Sequence, residues 1–204
     1  MNAFSLWNFK PGETKEFPSF FAYANTRFLN TFAVLTPADI EVDLDALPDV
    51  KAVWERIPSW IVRTDLARLV HVYLHGGFYF DSDCEILRRP PPTASLVLVQ
   101  EALLPSTASL GSRECKDPCR RLRIANYAFG SPTARHPFFR ACLDECLRRL
   151  EEIEYTPQSP EDVLWVCGPD VLTSVYHLTC PQAAVLDRHF VKHHAAGSWR
   201  VTKQ

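Results

Sequence analysis

Several features that would place a protein in a particular class are missing from these 204 residues. The formal net charge is −2, whereas nucleic-acid-binding domains usually carry a basic excess. No apolar run approaches the roughly 20 residues that span a bilayer. The first residues, MNAFSLWNFKPGE, lack the basic start and long apolar core of a signal peptide. These absences predict a soluble, cytoplasmic protein with no transmembrane segment and no nucleic-acid partner.

The cysteines give no complete disulfide framework, because seven is an odd number. A reduced compartment is the simpler interpretation. Cys115 and Cys119 share a four-residue spacing with Cys142 and Cys146, and four thiolates can bind zinc. The usual spacing in zinc sites is shorter, however. We therefore expect Cys142 and Cys146 to pack as small apolar side chains on one helix face.

The chain length suits one domain with a substantial core, and we predict a single domain over residues 1–204. Hydrophobic periodicity predicts alternating strands and helices, which indicates an α/β sheet. The predicted strands cover residues 3–9, 32–35, 78–81, 95–100 and 124–129. The predicted helices cover residues 17–32, 60–75 and 136–152, and a further helix begins near Pro169. We expect residues 39–49 to form a connector, and we see little regular periodicity from Val185 onwards.

The most informative segment is TDLARLVHVYLHGGFYFDSDCE, residues 64–85. It predicts a helix, a Gly-Gly break, a short aromatic strand and then Asp81 and Asp83. Ligands bind open α/β sheets at the carboxyl ends of the strands, and paired carboxylates suit Mn²⁺ or Mg²⁺ beside a phosphorylated substrate. Asp65 and Arg68 share a helix face because they are three residues apart. They form either a surface ion pair or a pair of polar groups directed at the strand end.

The order D-x-x-R, Gly-Gly, Tyr-x-Asp-x-Asp resembles the glycosyltransferases whose sugar-binding region contains a DXD motif. This family includes fungal initiating mannosyltransferases, capsular sugar transferases and the glucosylating domains of large clostridial toxins. Thr64 stands where the family usually has serine, which keeps the hydroxyl. Later segments are also similar to family segments in the same order: NYAF at 126–129, HPF at 136–138, GPDVLT at 168–173 and HHAAGSW at 193–199.

The resemblance implies a glycosyltransferase A-type fold, a Rossmann-like mixed sheet flanked by helices. It also implies a retaining glycosyltransferase that uses Mn²⁺ or Mg²⁺. The donor would be a nucleotide-sugar, with a UDP-sugar favoured and a GDP-sugar as the alternative. The acceptor would be a hydroxyl on a glycan, a lipid-linked glycan or a protein.

The resemblance assigns roles to individual positions as well. Asp83, and Asp81 with it, would hold the metal, while Asp81 would also contact the ribose. Asp65 and Arg68 would orient the transferred sugar, and Asn126 would lie near the reacting sugar. The remaining donor contacts would come from Trp7 at the nucleobase, Tyr79 in the donor pocket, and Ser198 and Trp199 over the diphosphate.

Two further questions stay open at the level of sequence. A histidine suits Mn²⁺ as a third ligand, and we favour His194, three residues before Gly197, over His193. A phosphotransferase of the haloacid dehalogenase type would instead use Asp81 as a nucleophile and Asp83 as a general acid. A nucleotide-sugar-binding domain without catalysis is the other alternative.

Overall fold

The computed structural model describes residues 2–18, 28, 30–89, 91, 93–103, 122–187 and 189–194, with the backbone of 109–110 and 113–114. Its strands are β1 (Asn2–Leu6), β2 (Thr31–Leu35), β3 (Gly77–Phe80), β4 (Cys84–Ile86), β5 (Val97–Leu103), β6 (Ser109–Leu110), β7 (Arg113–Glu114), β8 (Leu122–Ser131), β9 (Ala184–Leu186) and β10 (Val191–His193). Its helices are α1 (Pro37–Leu44), α2 (Pro48–Trp54), α3 (Trp60–His75), α4 (Pro137–Glu152), α5 (Pro160–Val166) and α6 (Pro169–Thr179).

Six strands form a mixed central sheet in the order β2-β1-β3-β8-β5-β9. Strand β1 runs parallel to both β2 and β3. Strand β8 lies antiparallel between β3 and β5, and β9 is parallel to β5. Helices flank this sheet, so the predicted fold class is confirmed.

Alternate residues along the strands contribute to two separate cores, as the two-residue period of a strand requires. Tyr79 packs with the helices α1 to α6 in the larger core. Phe78 and Phe80 pack on the other face of the sheet with Cys84 and Val191, from the small antiparallel pair β4–β10. The strand β3 therefore contributes Tyr79 to one core and Phe78 and Phe80 to the other.

The path from α3 into β3 explains why two glycines occur there. Gly76 and Gly77 have φ values of 70° and 90°, in the region where a side chain is disfavoured. A Cβ on Gly76 would also lie 3.0 Å from the backbone nitrogen of Ala134. The chain reverses direction at these two glycines. Helix α3 can therefore pack on the sheet, and β3 begins directly after the helix ends.

The expectation of a connector at residues 39–49 is wrong, because α1 and α2 cover most of this range. Each helix begins with a proline, which suits the first turn, and the Asp39 carboxylate accepts a hydrogen bond of 2.7 Å from the Thr36 N–H at the start of α1. Helix α5 and strand β10 also occupy segments for which the sequence predicted no regular structure. The predicted helix at 17–32 lies largely outside the described residues.

Among the helices that the structure describes, none is both long and apolar enough to cross a membrane. The cysteines that the structure describes are free. Cys142 and Cys146 are fully buried in the larger core, which confirms their predicted packing. Cys115 and Cys119 lie outside the described residues.

Candidate active site

The two aspartates of the DXD motif follow β3 at the edge of the sheet where its parallel neighbour β1 also ends. Phe4 of β1 lies opposite Tyr79 of β3, so continuing this register by two residues brings Leu6 level with Asp81. The chain then turns, and the Cys84 N–H donates to the Asp81 carbonyl at 2.9 Å. The turn presents both carboxylates at the carboxyl end of the strand, where ligands of open α/β sheets bind.

Arg68 lies between two carboxylates at this edge. Its Nη2 is 2.7 Å from Asp65 Oδ1, and its Nη1 is 3.1 Å from Asp81 Oδ1. Nη1 also donates to the Asn126 carbonyl at 2.7 Å. The Arg68 and Asp65 side chains are only 8% and 10% exposed. The pair therefore belongs to an interior network and is not the surface ion pair that the spacing also allowed.

Asn126 and Tyr79 complete this network. The Asn126 Nδ2 donates to Asp65 Oδ1 at 3.1 Å, while the buried Asn126 Oδ1 accepts no hydrogen bond from any described residue. The Tyr79 hydroxyl donates to Asp81 Oδ1, and its ring is 2% exposed with the Arg68 guanidinium carbon 4.7 Å from its centroid. Tyr79 therefore holds Asp81 from within the core.

Burial perturbs the ionisation of this network. It raises the pKa of Asp65 to about 6, although the Arg68 charge opposes the increase and the Asp81 charge adds to it. Burial lowers the pKa of Arg68, but the facing Tyr79, Asp65 and Asp81 groups outweigh this effect and raise it overall. One guanidinium thus compensates two carboxylates, and perturbed groups of this kind cluster at functional sites.

Of the two candidate histidines, the structure brings His193 to the DXD carboxylates. Strand β10 pairs antiparallel with β4, so His193 lies opposite Cys84. The His193 Nε2 is 3.2 Å from Asp83 Oδ1 and 3.8 Å from Asp81 Oδ2. His194, which the sequence favoured, places its Nε2 3.5 Å from Glu85 Oε2 instead.

The surroundings orient the His193 ring and favour its protonated form. Its ring stacks on Tyr127, with centroids 4.4 Å apart. Burial lowers the pKa of His193, but the hydrogen bond to Asp83 and the charges of Asp83 and Asp81 raise it above its usual value overall.

The donor set beside β3 suits a divalent cation. Ligand atoms of Asp83, Cys84 and His193 all lie within 4.8 Å of one another. The Cys84 thiol is fully buried and lies 3.6 Å from the Tyr127 carbonyl, and burial raises its pKa, which disfavours the thiolate form. The remaining donors are carboxylate oxygens and one imidazole. Ligands at adjacent corners of an octahedral Mg²⁺ site lie roughly 3 Å apart, close to the 3.2 Å between His193 and Asp83.

The other predicted donor contacts are only partly within the described residues. Trp7 follows β1 at the same edge, and its Nε1 donates to the Lys15 carbonyl at 2.7 Å. Its ring meets that of Phe17, with centroids 5.4 Å apart. Ser198 and Trp199 lie outside the described residues, so their contacts with a donor stay predictions.

Comparison with known proteins gives a match to the DXD motif region and a match to the fold. Residues 12–104 match the family model of the glycosyltransferase sugar-binding region containing DXD motif. A solved structure of the PaToxG glycosyltransferase superimposes with a TM-score of 0.62 at 15% identity, covering 88% of this chain and 69% of that one. No curated protein matches the sequence. At this identity the structural similarity supports the fold, and the family match supports the motif.

Proposed function

We propose that this chain is a glycosyltransferase of the group whose sugar-binding region contains a DXD motif, and that it transfers a sugar from a nucleotide-sugar to a hydroxyl acceptor. We propose further that the reaction depends on Mn²⁺ or Mg²⁺ and that residues 1–204 act as one catalytic domain. A UDP-sugar is the favoured donor and a GDP-sugar the alternative. Retention of the anomeric configuration rests on the family resemblance alone, and we assign no nucleophile.

The observation that carries the proposal is the position of Arg68 between Asp65 and Asp81. Its contacts of 2.7 and 3.1 Å join Asp65 on the helix α3 to Asp81, which follows β3. Buried charges are costly unless they are paired and hydrogen-bonded. A chain that only needed a stable core would use apolar residues here, so the network supports recognition of a polar ligand.

We assign the sugar to the side of the network that Asp65, Arg68 and Asn126 form. The Asn126 Oδ1 is a buried acceptor without a described partner, and a sugar hydroxyl would satisfy it. The Asp65 carboxylate and the Arg68 guanidinium are held together, so they can orient hydroxyl groups without rearranging. Tyr79 contributes through Asp81, since its hydroxyl donates to that carboxylate.

We assign the nucleotide to the adjacent part of the same edge. Trp7 would pack on the nucleobase, Asp81 would contact the ribose, and Ser198 and Trp199 would cover the diphosphate. Asp83 and His193, with Asp81 beside them, would hold the cation. A cation bound there supplies neutralisation of the charge that grows on the leaving nucleoside diphosphate.

A thermal-shift screen of UDP- and GDP-sugars with and without Mn²⁺ tests the proposal. A ligand at 100 times its Kd stabilises the folded state by about 2.7 kcal/mol, which is roughly 5–10 °C for a chain of this size. We expect this stabilisation only when a suitable donor and Mn²⁺ are both present. Turnover is then measured as Mn²⁺-dependent release of the nucleoside diphosphate.

Three matched variants make the test specific. Asp83→Asn and His193→Ala should abolish the Mn²⁺-dependent shift, whereas His194→Ala should weaken Mn²⁺ binding less than His193→Ala. Retention of metal-dependent turnover by Asp83→Asn would contradict the proposal. A covalent aspartyl-phosphate at Asp81 would support the phosphotransferase alternative, and donor binding without turnover would support the non-catalytic one.

A further inference from the structure

A second group of metal-binding side chain types lies on the helix layer, away from the DXD carboxylates. It consists of Asp43 near the end of α1 and of His71 and His75 on α3. An α-helix rises about 1.5 Å per residue, so His71 and His75 lie roughly 9 and 15 Å along the axis from Asp65. This Asp43–His71–His75 group therefore lies toward the opposite edge of the sheet from the proposed donor site.

The three side chains converge on one point. His71 and His75 are four residues apart and share a helix face. The His71 Nδ1 is 2.7 Å from Asp43 Oδ2, and the His75 Nε2 is 2.6 Å from Asp43 Oδ1. The ligand atoms of all three lie within 4.8 Å of one another. The Phe4 ring meets that of His71 edge to face at 4.4 Å, which fixes the orientation of this imidazole.

One side of the group is closed and the other is open. The Asp43 side chain is 9% exposed, whereas that of His75 is 53% exposed. His75 also lines a cavity of about 500 Å³, together with Asn2, Gly77 and Arg89. The exposed side of His75 leaves room for water to complete the coordination of an ion bound by the group.

We propose that Asp43, His71 and His75 form a second metal site, which binds Zn²⁺ or a similar borderline transition ion. Its donors are two imidazole nitrogens and one carboxylate, a set that suits zinc better than Mg²⁺ or Ca²⁺. Three protein ligands with water at the fourth position is a common zinc arrangement. This site is independent of the proposed donor site, whose main donors are carboxylate oxygens.

The observed distances are compatible with binding after a small adjustment. Ligand atoms about 2.0–2.1 Å from zinc lie roughly 3.3 Å apart at tetrahedral corners. The carboxylate and the two rings therefore need to separate by about 0.6–0.7 Å from their hydrogen-bonded positions. Each coordinating nitrogen gives up its proton, either to the other nitrogen of the same ring or to solvent.

Binding at this point would link α1 to α3. Helix α3 carries both Asp65 and Arg68, so the ion would stabilise the element that positions the proposed sugar contacts. The same geometry without a metal would be a carboxylate that accepts hydrogen bonds from two imidazoles and holds the helices together. The two interpretations differ in whether the folded chain takes up an ion, and this is what the experiment measures.

The experiment titrates Zn²⁺ into the full chain carrying Asp83→Asn, which removes the main carboxylate of the donor site. We expect one equivalent of Zn²⁺ by calorimetry and an increase in Tm. Adding His75→Ala should lower the Zn²⁺ affinity at least 100-fold, since even the loss of an outer-shell partner costs about 10–100-fold. Co²⁺ should give the intense visible absorption of a tetrahedral ion, and His75→Ala should abolish it.

Two comparisons keep this test interpretable. His189→Ala removes an exposed histidine outside both groups and should leave the Zn²⁺ affinity unchanged. His75→Ala should keep its metal-free Tm within a few degrees, because the side chain it truncates is half exposed. Equal Zn²⁺ affinity with and without His75 would overturn the proposal, as would a failure of the Asp83→Asn chain to bind Zn²⁺.

Discussion

Asp65→Asn tests whether the buried network lowers the stability of the fold and serves to bind a ligand. Asparagine has nearly the shape of aspartate, and its Oδ1 can still accept from Asn126 and from Arg68. The substitution therefore removes a negative charge while it leaves the packing in place. Arg68 keeps Asp81 as a partner at 3.1 Å, so it is not left without a counter-charge.

The magnitude follows from the raised pKa of Asp65, which burial moves from its usual 3.8 to about 6. A folded state that holds its proton more tightly than the unfolded chain loses stability as the pH rises between these two values. At about 1.4 kcal/mol per tenfold change in the ionisation constant, the total is roughly 3 kcal/mol. About 2 kcal/mol of this loss falls between pH 4.5 and 7.5.

The assay is urea denaturation of the wild-type and Asp65→Asn chains at several pH values across this range. Asp170 also has its pKa raised to about 6 by burial, so the wild-type curve alone does not isolate Asp65. The difference in the free energy of unfolding between the two chains isolates Asp65. From pH 4.5 to 7.5 this difference should change by about 2 kcal/mol in favour of the variant. If the free energies of unfolding of the two chains change equally with pH, the reasoning is refuted.

Activity provides the second half of this test. If Asp65 orients the sugar, Asp65→Asn should lose transfer at pH 7.5 even where it is as stable as the wild type or more stable. A variant that gains stability and keeps full transfer would exclude Asp65 from the donor site while leaving the electrostatic argument intact.

Three further predictions follow from the same structure. Arg68→Met should lower the free energy of unfolding by about 3–5 kcal/mol in urea denaturation, because the buried Asp65 carboxylate loses its cation; if adding Asp65→Asn recovers none of it, the explanation is wrong. Tyr79→Phe should weaken donor binding by removing the hydroxyl held by Asp81, while it costs about 1 kcal/mol of stability; unchanged donor affinity in calorimetry would contradict this. Gly130→Ala should cost about 1–3 kcal/mol, since its Cβ would lie 2.4 Å from a backbone oxygen of β3; an unchanged Tm would disprove it.

Sequence reasoning worked where the relevant residues are close together along the chain. Helix α3 was predicted over its full range because periodicity and two terminal glycines define it, and the same segment carries Asp65, Arg68 and Asp81. Sequence reasoning failed where a helix was short and only a few residues indicated its start. The Asp39 carboxylate at the start of α1 was a recognisable helix-start signal, but the prolines and acidic residues there were interpreted as a connector.

The choice between His193 and His194 shows why some site residues cannot be predicted locally. Neighbouring residues in a strand point to opposite faces, so a shift of one residue exchanges their positions. Which histidine reaches Asp83 depends on the pairing of His193 with Cys84, two residues separated by more than half the chain. Nothing near either histidine specifies that register.

The sequence by itself determined the DXD motif, the helix and strand that lead to it, and the family whose sugar-binding region it matches, because these depend on spacing within about 20 residues. Tertiary structure decided that Arg68 joins Asp65 to Asp81 in a buried network, that His193 contacts the motif, and that Asp43 meets His71 and His75. Each of these contacts joins separate elements, and the packing of those elements sets distances that local periodicity does not encode.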